Sequence, residues 1–189
     1  MKSRIDAAAG PIRHFAYGAN LFPDVLERRR GICPASAVPA RAIGWRRTFD
    51  VLGIPLVEPA FANLTQADGQ FCWGVLYELS TTQLNQIRAV EAPAYRDGMV
   101  QVETADGRRL EAHAFIGVWT RRREGRPSKR YLDLLIAGAR HHGLPDEALA
   151  ELEATPAAHM PLLSGLASRV LTWERLLVWR ARWRRQRSD

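Results

Sequence analysis

The sequence predicts an α+β protein on three observations: segments of two-residue alternation fill its first two-thirds, one capped helix interrupts them, and helical patterns take over after Pro127. At 189 residues and 47% hydrophobic content the chain can bury one substantial core, and no second domain is expected.

Met1 to Gly10 carry no periodic pattern and are expected to fray. The apolar run Ile12 to Tyr17 reads as a strand that arrives at Gly18 and Asn20, residue types that tolerate tight-loop backbone angles. Pro23 and Asp24 then start a short helix with Val25, Leu26 and the basic cluster Arg28-Arg29-Arg30. A strand, a Gly/Asn turn and a helix start gather backbone N–H groups around one small volume, the usual construction of an anion or oxyanion site. The same pattern also suits an ordinary strand-to-helix connection, and the local sequence leaves both readings open.

Ile43 to Val51 alternates as a half-buried strand, and Gly53 to Pro59 is expected to be a loop near the site. Phe61 to Gln66 and Gln70 to Leu79 read as a hairpin about Asp68-Gly69, with Phe71, Trp73, Val75, Tyr77 and Leu79 on one face. Ser80-Thr81-Thr82-Gln83 is a capping box, and the helix it starts runs to about Glu91, because Pro93 removes Ala92 from helical geometry. Glu91 lies four residues after Ile87 and seven after Leu84, so its carboxylate shares the apolar docking face and demands a partner. A carboxyl so placed is a candidate proton carrier.

Asp97-Gly98 is read as a turn into a strand with Val100 and Val102, and Asp106-Gly107 as a hairpin turn into Leu110 to Ile116. His113, one position off that strand's apolar face, is assigned to the surface, and Arg121 to Arg126 to a polar loop. Ser128 opens a helix through Tyr131, Leu132 and Leu135 that Gly143 ends. His141 and His142 suit its negative end rather than a ligand role, and Asp146 is read as the cap of a last short helix.

The net charge of +7 is concentrated in the tail, where Arg169 to Asp189 hold seven Arg against Glu174 and Asp189, leaving +2 for the rest. That near-neutral body argues against a nucleic-acid partner. Cys33 and Cys72 lack metal-ligand spacing and are expected to be buried reduced thiols, so neither a disulfide nor a metal site is anticipated. No secretion signal or membrane-spanning stretch is visible, which makes the cytoplasm the default location. From Leu166 to Arg187 the pattern predicts a C-terminal amphipathic helix with Trp173, Trp179 and Trp183 among arginines; packing on the domain or self-association is the favoured expectation, and an anionic membrane surface the alternative.

Four stretches stand in a telling order: Phe15-Ala16-Tyr17-Gly18-Ala19-Asn20-Leu21, Gly74 to Leu79 before a capped helix with a terminal Glu, Pro127-Ser128 with Tyr131, and Gly138-Ala139 with Gly143-Leu144-Pro145. Together they resemble the gamma-glutamylcyclotransferase superfamily over residues 12–155, with 156–189 as an extension. The resemblance implies a compact mixed, barrel-like sheet flanked by helices with a pocket at its mouth. It implies a reaction in which the α-amino group of a gamma-glutamyl amide attacks its own γ-carbonyl, releasing 5-oxoproline and an amine without a cofactor. By position, Tyr17, Gly18, Ala19, Asn20 and Leu21 would hold the glutamyl group, Glu91 would be the acid/base, and Tyr131 and Tyr95 would contact substrate. Relatives often have Ser at Ala19, Gly at Ala92 and Asp at Arg88. The change at Ala19 should cost a hydroxyl contact and little more; the two departures around Glu91 are the best support for the competing expectation of a non-catalytic small-molecule binding module, and a different amide chemistry on the same scaffold also remains open.

Overall fold

A computed structural model describes residues 10–54 and 57–158 of the chain. Its strands are β1 (Ile12–Ala16), β2 (Ser36–Ile54), β3 (Glu58–Leu79), β4 (Tyr95–Thr104) and β5 (Arg109–Gly117), closed into a barrel in the order β1-β3-β2-β4-β5. All neighbours are antiparallel except β1 and β5, which meet in parallel at His14 and His113. A 3-10 turn (Ala19–Leu21) and a π-helical turn (Asp24–Arg29) follow β1; α1 (Thr81–Glu91) follows β3; α2 (Lys129–His141) and α3 (Asp146–Glu153) follow β5. The expected α+β class and barrel-like sheet are therefore present. The tail helix lies outside the described residues, as does the segment 1–9.

The local signals for helix ends hold. Ser80 accepts from the Gln83 N–H, and Gln83 accepts from the Ser80 N–H, closing the capping box of α1. Ser80→Ala is expected to cost about 1 kcal/mol of stability, read as a lower urea midpoint with an unchanged slope. Ala92 is extended and ends α1, and Gly143, with φ +64°, ends α2. The last helix is entered from Pro145 without a side-chain cap, and Asp146 sits in its first turn instead.

Two expected turns are strand. Asp68-Gly69 lies within the single long β3, where residues 67–70 bulge opposite Gly44 between the pairs Ile43–Phe71 and Trp45–Gln66. Both glycines take left-handed angles, Gly44 at φ +78° and Gly69 at +73°, so the pair bends a continuous ribbon rather than reversing it. Val75, Tyr77 and Leu79 are buried as expected, but Phe71, just past the bulge, is exposed. Asp97-Gly98 is also inside a strand; a Cβ on Gly98 would collide with the Ile116 side chain across the ladder, so this glycine serves close approach. Gly53 continues β2 rather than opening a loop, and Cys33 is exposed while Cys72 is buried. No helix among the described residues is long and apolar enough to cross a membrane.

Candidate active site

The loop after β1 is held from below by three contacts. Arg47, whose side chain is fully buried, donates Nε–H to the Tyr17 carbonyl at 3.1 Å, and Tyr77 donates its hydroxyl proton to the Asn20 carbonyl at 3.1 Å. His142 Nε2 lies 2.9 Å from that hydroxyl, so the end of α2 supports the loop rather than only facing its own helix dipole. The Tyr17 hydroxyl donates to the Phe115 carbonyl.

Within the 3-10 turn the Leu21 N–H donates to Gly18 O at 2.9 Å, whereas the N–H groups of Ala19 and Asn20 meet no backbone acceptor among the described residues. Leu21 is fully buried against Gly138 of α2 and is not part of the pocket wall. Leu21, expected at the substrate, has both its N–H and its side chain committed to the fold.

Above this loop lies a pocket of about 540 Å³, open mouth included, at one end of the barrel. Tyr17, Gly18, Ala19, Asn20, Glu91, Tyr95 and Tyr131 all line it, so the structure brings together seven of the eight expected site residues from four separate stretches of chain. Glu91 arrives from the last turn of α1 with its side chain 13% exposed. Its Oε1 accepts from Asn20 Nδ2 at 3.3 Å and from Arg30 Nη1 at 3.1 Å, while the same Arg30 nitrogen donates to Asn20 Oδ1 at 2.8 Å. The partner that the inward carboxylate demanded is therefore a nearly buried guanidinium plus the loop's own amide.

Sequence reasoning missed Arg30, because nothing in Arg28-Arg29-Arg30 distinguishes the third arginine until Gly31, at φ +67°, turns the chain there. It also missed His14, a buried wall residue whose signal was an imidazole directly before the apolar Phe15-Ala16. His113, expected at the surface, is 7% exposed. Closing β1 against β5 buries positions of both parities, so an offset of one no longer points to solvent.

The aromatic wall is fixed through one peptide unit. The Ala62 N–H donates to the Tyr131 hydroxyl at 3.2 Å and the Ala62 carbonyl accepts from Tyr95 at 2.8 Å. Burial raises the Tyr131 pKa above the ordinary phenol value, keeping it protonated at neutral pH. Tyr131→Phe leaves a buried N–H without its acceptor and is expected to cost about 1–3 kcal/mol, measured by urea unfolding; an unchanged midpoint would show that the bond carries nothing. The start of α2 is pinned by buried Glu58, which accepts from the Ser128 N–H at 3.1 Å and from Arg130 at 2.8 Å. The segment 53–59, expected near the site, and the segment 121–126 contribute no wall among the described residues and bond instead to each other, through Arg121 and the Pro59 carbonyl.

A closed barrel whose mouth gathers a carboxylate, a guanidinium and an amide over a bed of aromatic rings has the make-up of a small-molecule pocket. The AIG2-like family matches residues 72–152. Among curated proteins, the gamma-glutamyl cyclotransferase aclK of Aspergillus oryzae is 27% identical over 86% of this chain and 65% of its own length. The mouse gamma-glutamylcyclotransferase is 24% identical over 75% of this chain and 77% of its own. A solved structure named gamma-glutamyl cyclotransferase superposes with a TM-score of 0.69 at 23% identity, covering 78% of this chain and 89% of that one. YkqA from Bacillus subtilis gives 0.63 at 21% identity, covering 82% and 58%. The family match, the curated relatives and the shared fold together support the gamma-glutamylcyclotransferase-like superfamily for this chain.

Proposed function

We propose that this protein is a cyclotransferase that converts a gamma-glutamyl amine or peptide into 5-oxoproline and the free amine, with residues 12–155 carrying the activity. The observation that supports it is the meeting of Glu91, from α1, with Asn20, from the Gly18–Asn20 turn, at 3.3 Å on one pocket wall. The substrate's α-nitrogen forms a bond to its own γ-carbon while the γ-carbon to amide-nitrogen bond breaks. The α-ammonium cannot attack while fully protonated and gives up two protons on becoming the lactam N–H; Glu91 takes each in turn and passes both to the leaving nitrogen, which departs as an ammonium. The N–H groups of Ala19 and Asn20 face the developing oxyanion, and Tyr95 and Tyr131 pack the glutamyl chain.

Because nucleophile and electrophile share one molecule, the pocket's main task is to fold the substrate into its ring-closing shape, where effective molarities on the order of 10⁵ M become available. The relatives named gamma-glutamyl cyclotransferases support the same reading. Incubation with a panel of gamma-glutamyl amines and dipeptides, followed by 5-oxoproline assay, tests it. No turnover across the panel, with ligand binding retained, would favour the binding-module alternative.

A further inference from the structure

The pair that closes the barrel, His14 on β1 and His113 on β5, also carries a polar chain. The two Nδ1 atoms are 3.1 Å apart, His113 Nε2 lies 2.6 Å from Asp97 Oδ1, and Arg88 Nε reaches both oxygens of Asp97 at 3.0 and 3.1 Å. The chain thus begins at Arg88 and ends at His14, 1% exposed, in the pocket wall.

Tautomers follow from the acidic end. An ionised carboxylate only accepts, so His113 Nε2 carries the proton there and, in the neutral ring, Nδ1 is left bare. The bond across the seam must then be donated by His14 Nδ1–H. Burial, reinforced by His113 and Arg30, pushes the His14 pKa down to about 3, and burial lowers His113 as well despite Asp97, so both rings are neutral at working pH. Neutral His14 with its proton on Nδ1 presents a bare acceptor at Nε2. That atom is buried and has no hydrogen-bond partner among the described residues. A buried acceptor left unpaired is unfavourable, and a ligand in the pocket that His14 lines can relieve it.

We propose that His14 Nε2 accepts a hydrogen bond from the ligand's α-amino group, with the tautomer of His14 set by Asp97 through His113. The ligand's identity rests on the cyclotransferase reading; the acceptor role does not. A bare nitrogen disfavours a carboxylate, so the α-carboxylate lies away from His14 and the amino end lies against it. Of the three ammonium protons, two pass through Glu91 to the leaving nitrogen, and the third stays on its hydrogen bond to His14 as the future lactam N–H, which directs the nitrogen lone pair at the γ-carbon. His14 is here a binding residue, and His113 and Asp97 are positioning residues.

The test is nitrogen NMR of histidine-labelled full-length protein, with Glu91→Gln used to block turnover. His14 should show a protonated Nδ1 and bare Nε2, and His113 the reverse; Asp97→Asn should give mixed tautomers at His14. A saturating gamma-glutamyl dipeptide should shift His14 Nε2. A proton on His14 Nε2, or a signal unmoved by the dipeptide, overturns the proposal. In steady state His14→Phe should raise KM about 10- to 100-fold, and His14→Gln, which returns an acceptor near the Nε2 position, should recover most of it. Equal KM for wild type and a folded His14→Phe also overturns it. Wild type that makes no 5-oxoproline removes the cyclotransferase reading alone, since the tautomer and the dipeptide shift are read without turnover.

Discussion

Replacing Glu91 by Gln is expected to lower kcat for 5-oxoproline release by about 10²- to 10⁴-fold, with KM changed far less. The expectation comes from what the substitution keeps. Glutamine retains an oxygen where Glu91 Oε1 accepts from Arg30 Nη1 and Asn20 Nδ2, so the wall keeps its shape. It cannot take a proton from an ammonium or deliver one to a leaving amine. An effect confined to kcat marks an interaction made in the transition state, whereas a rise in KM alone would mark ordinary ground-state binding. Arg30 does lose its ionic partner, so the melting midpoint should fall while the circular dichroism spectrum of the native state persists. Wild-type kcat in this variant would remove Glu91 from the mechanism and leave the turn and His14 as a binding site without its proton carrier.

How much of this site was legible in sequence follows from the range of the forces involved. The capping box at Ser80, the stop at Ala92 and the inward register of Glu91 are local, fixed by backbone geometry within a few residues, and they stand as read. Asp68-Gly69 was misread because a left-handed glycine serves a bulge as well as a turn, and only the partner strand, with Gly44 opposite, decides between them. Arg30 and His14 were out of reach for another reason. Each is defined by a partner 61 or 99 positions away, Glu91 and His113, and single-sequence periodicity has no term for such a distance. The resemblance placed Glu91 and the turn at one pocket, but it could not supply Arg88-Asp97-His113-His14, whose members come from α1, β4, β5 and β1 and meet only when the barrel closes.

Gly138→Ala is expected to destabilise the protein by about 1–3 kcal/mol and to cut kcat/KM on the order of 100-fold. Gly138 is buried in the last turn of α2, and a Cβ there would lie 2.7 Å from the carbonyl carbon and oxygen of Leu21, in the site turn. Those are backbone atoms, which cannot rotate aside. The helix cannot easily retreat, because Glu58 and Ser128 fix its start, and Gly143 with the His142–Tyr77 contact fixes its end. The turn must give, and it carries Ala19 and Asn20, hence the N–H groups and the amide that meet Glu91. The sign of the stability change discriminates sharply. Helix propensity alone favours Ala over Gly by about 1 kcal/mol, so a stabilised variant with intact kcat/KM would mean that α2 and the turn are not in contact. A destabilised variant with impaired kcat/KM would mean that the glycine of the Gly138-Ala139 motif is required because only a bare Cα lets α2 pass against the site turn.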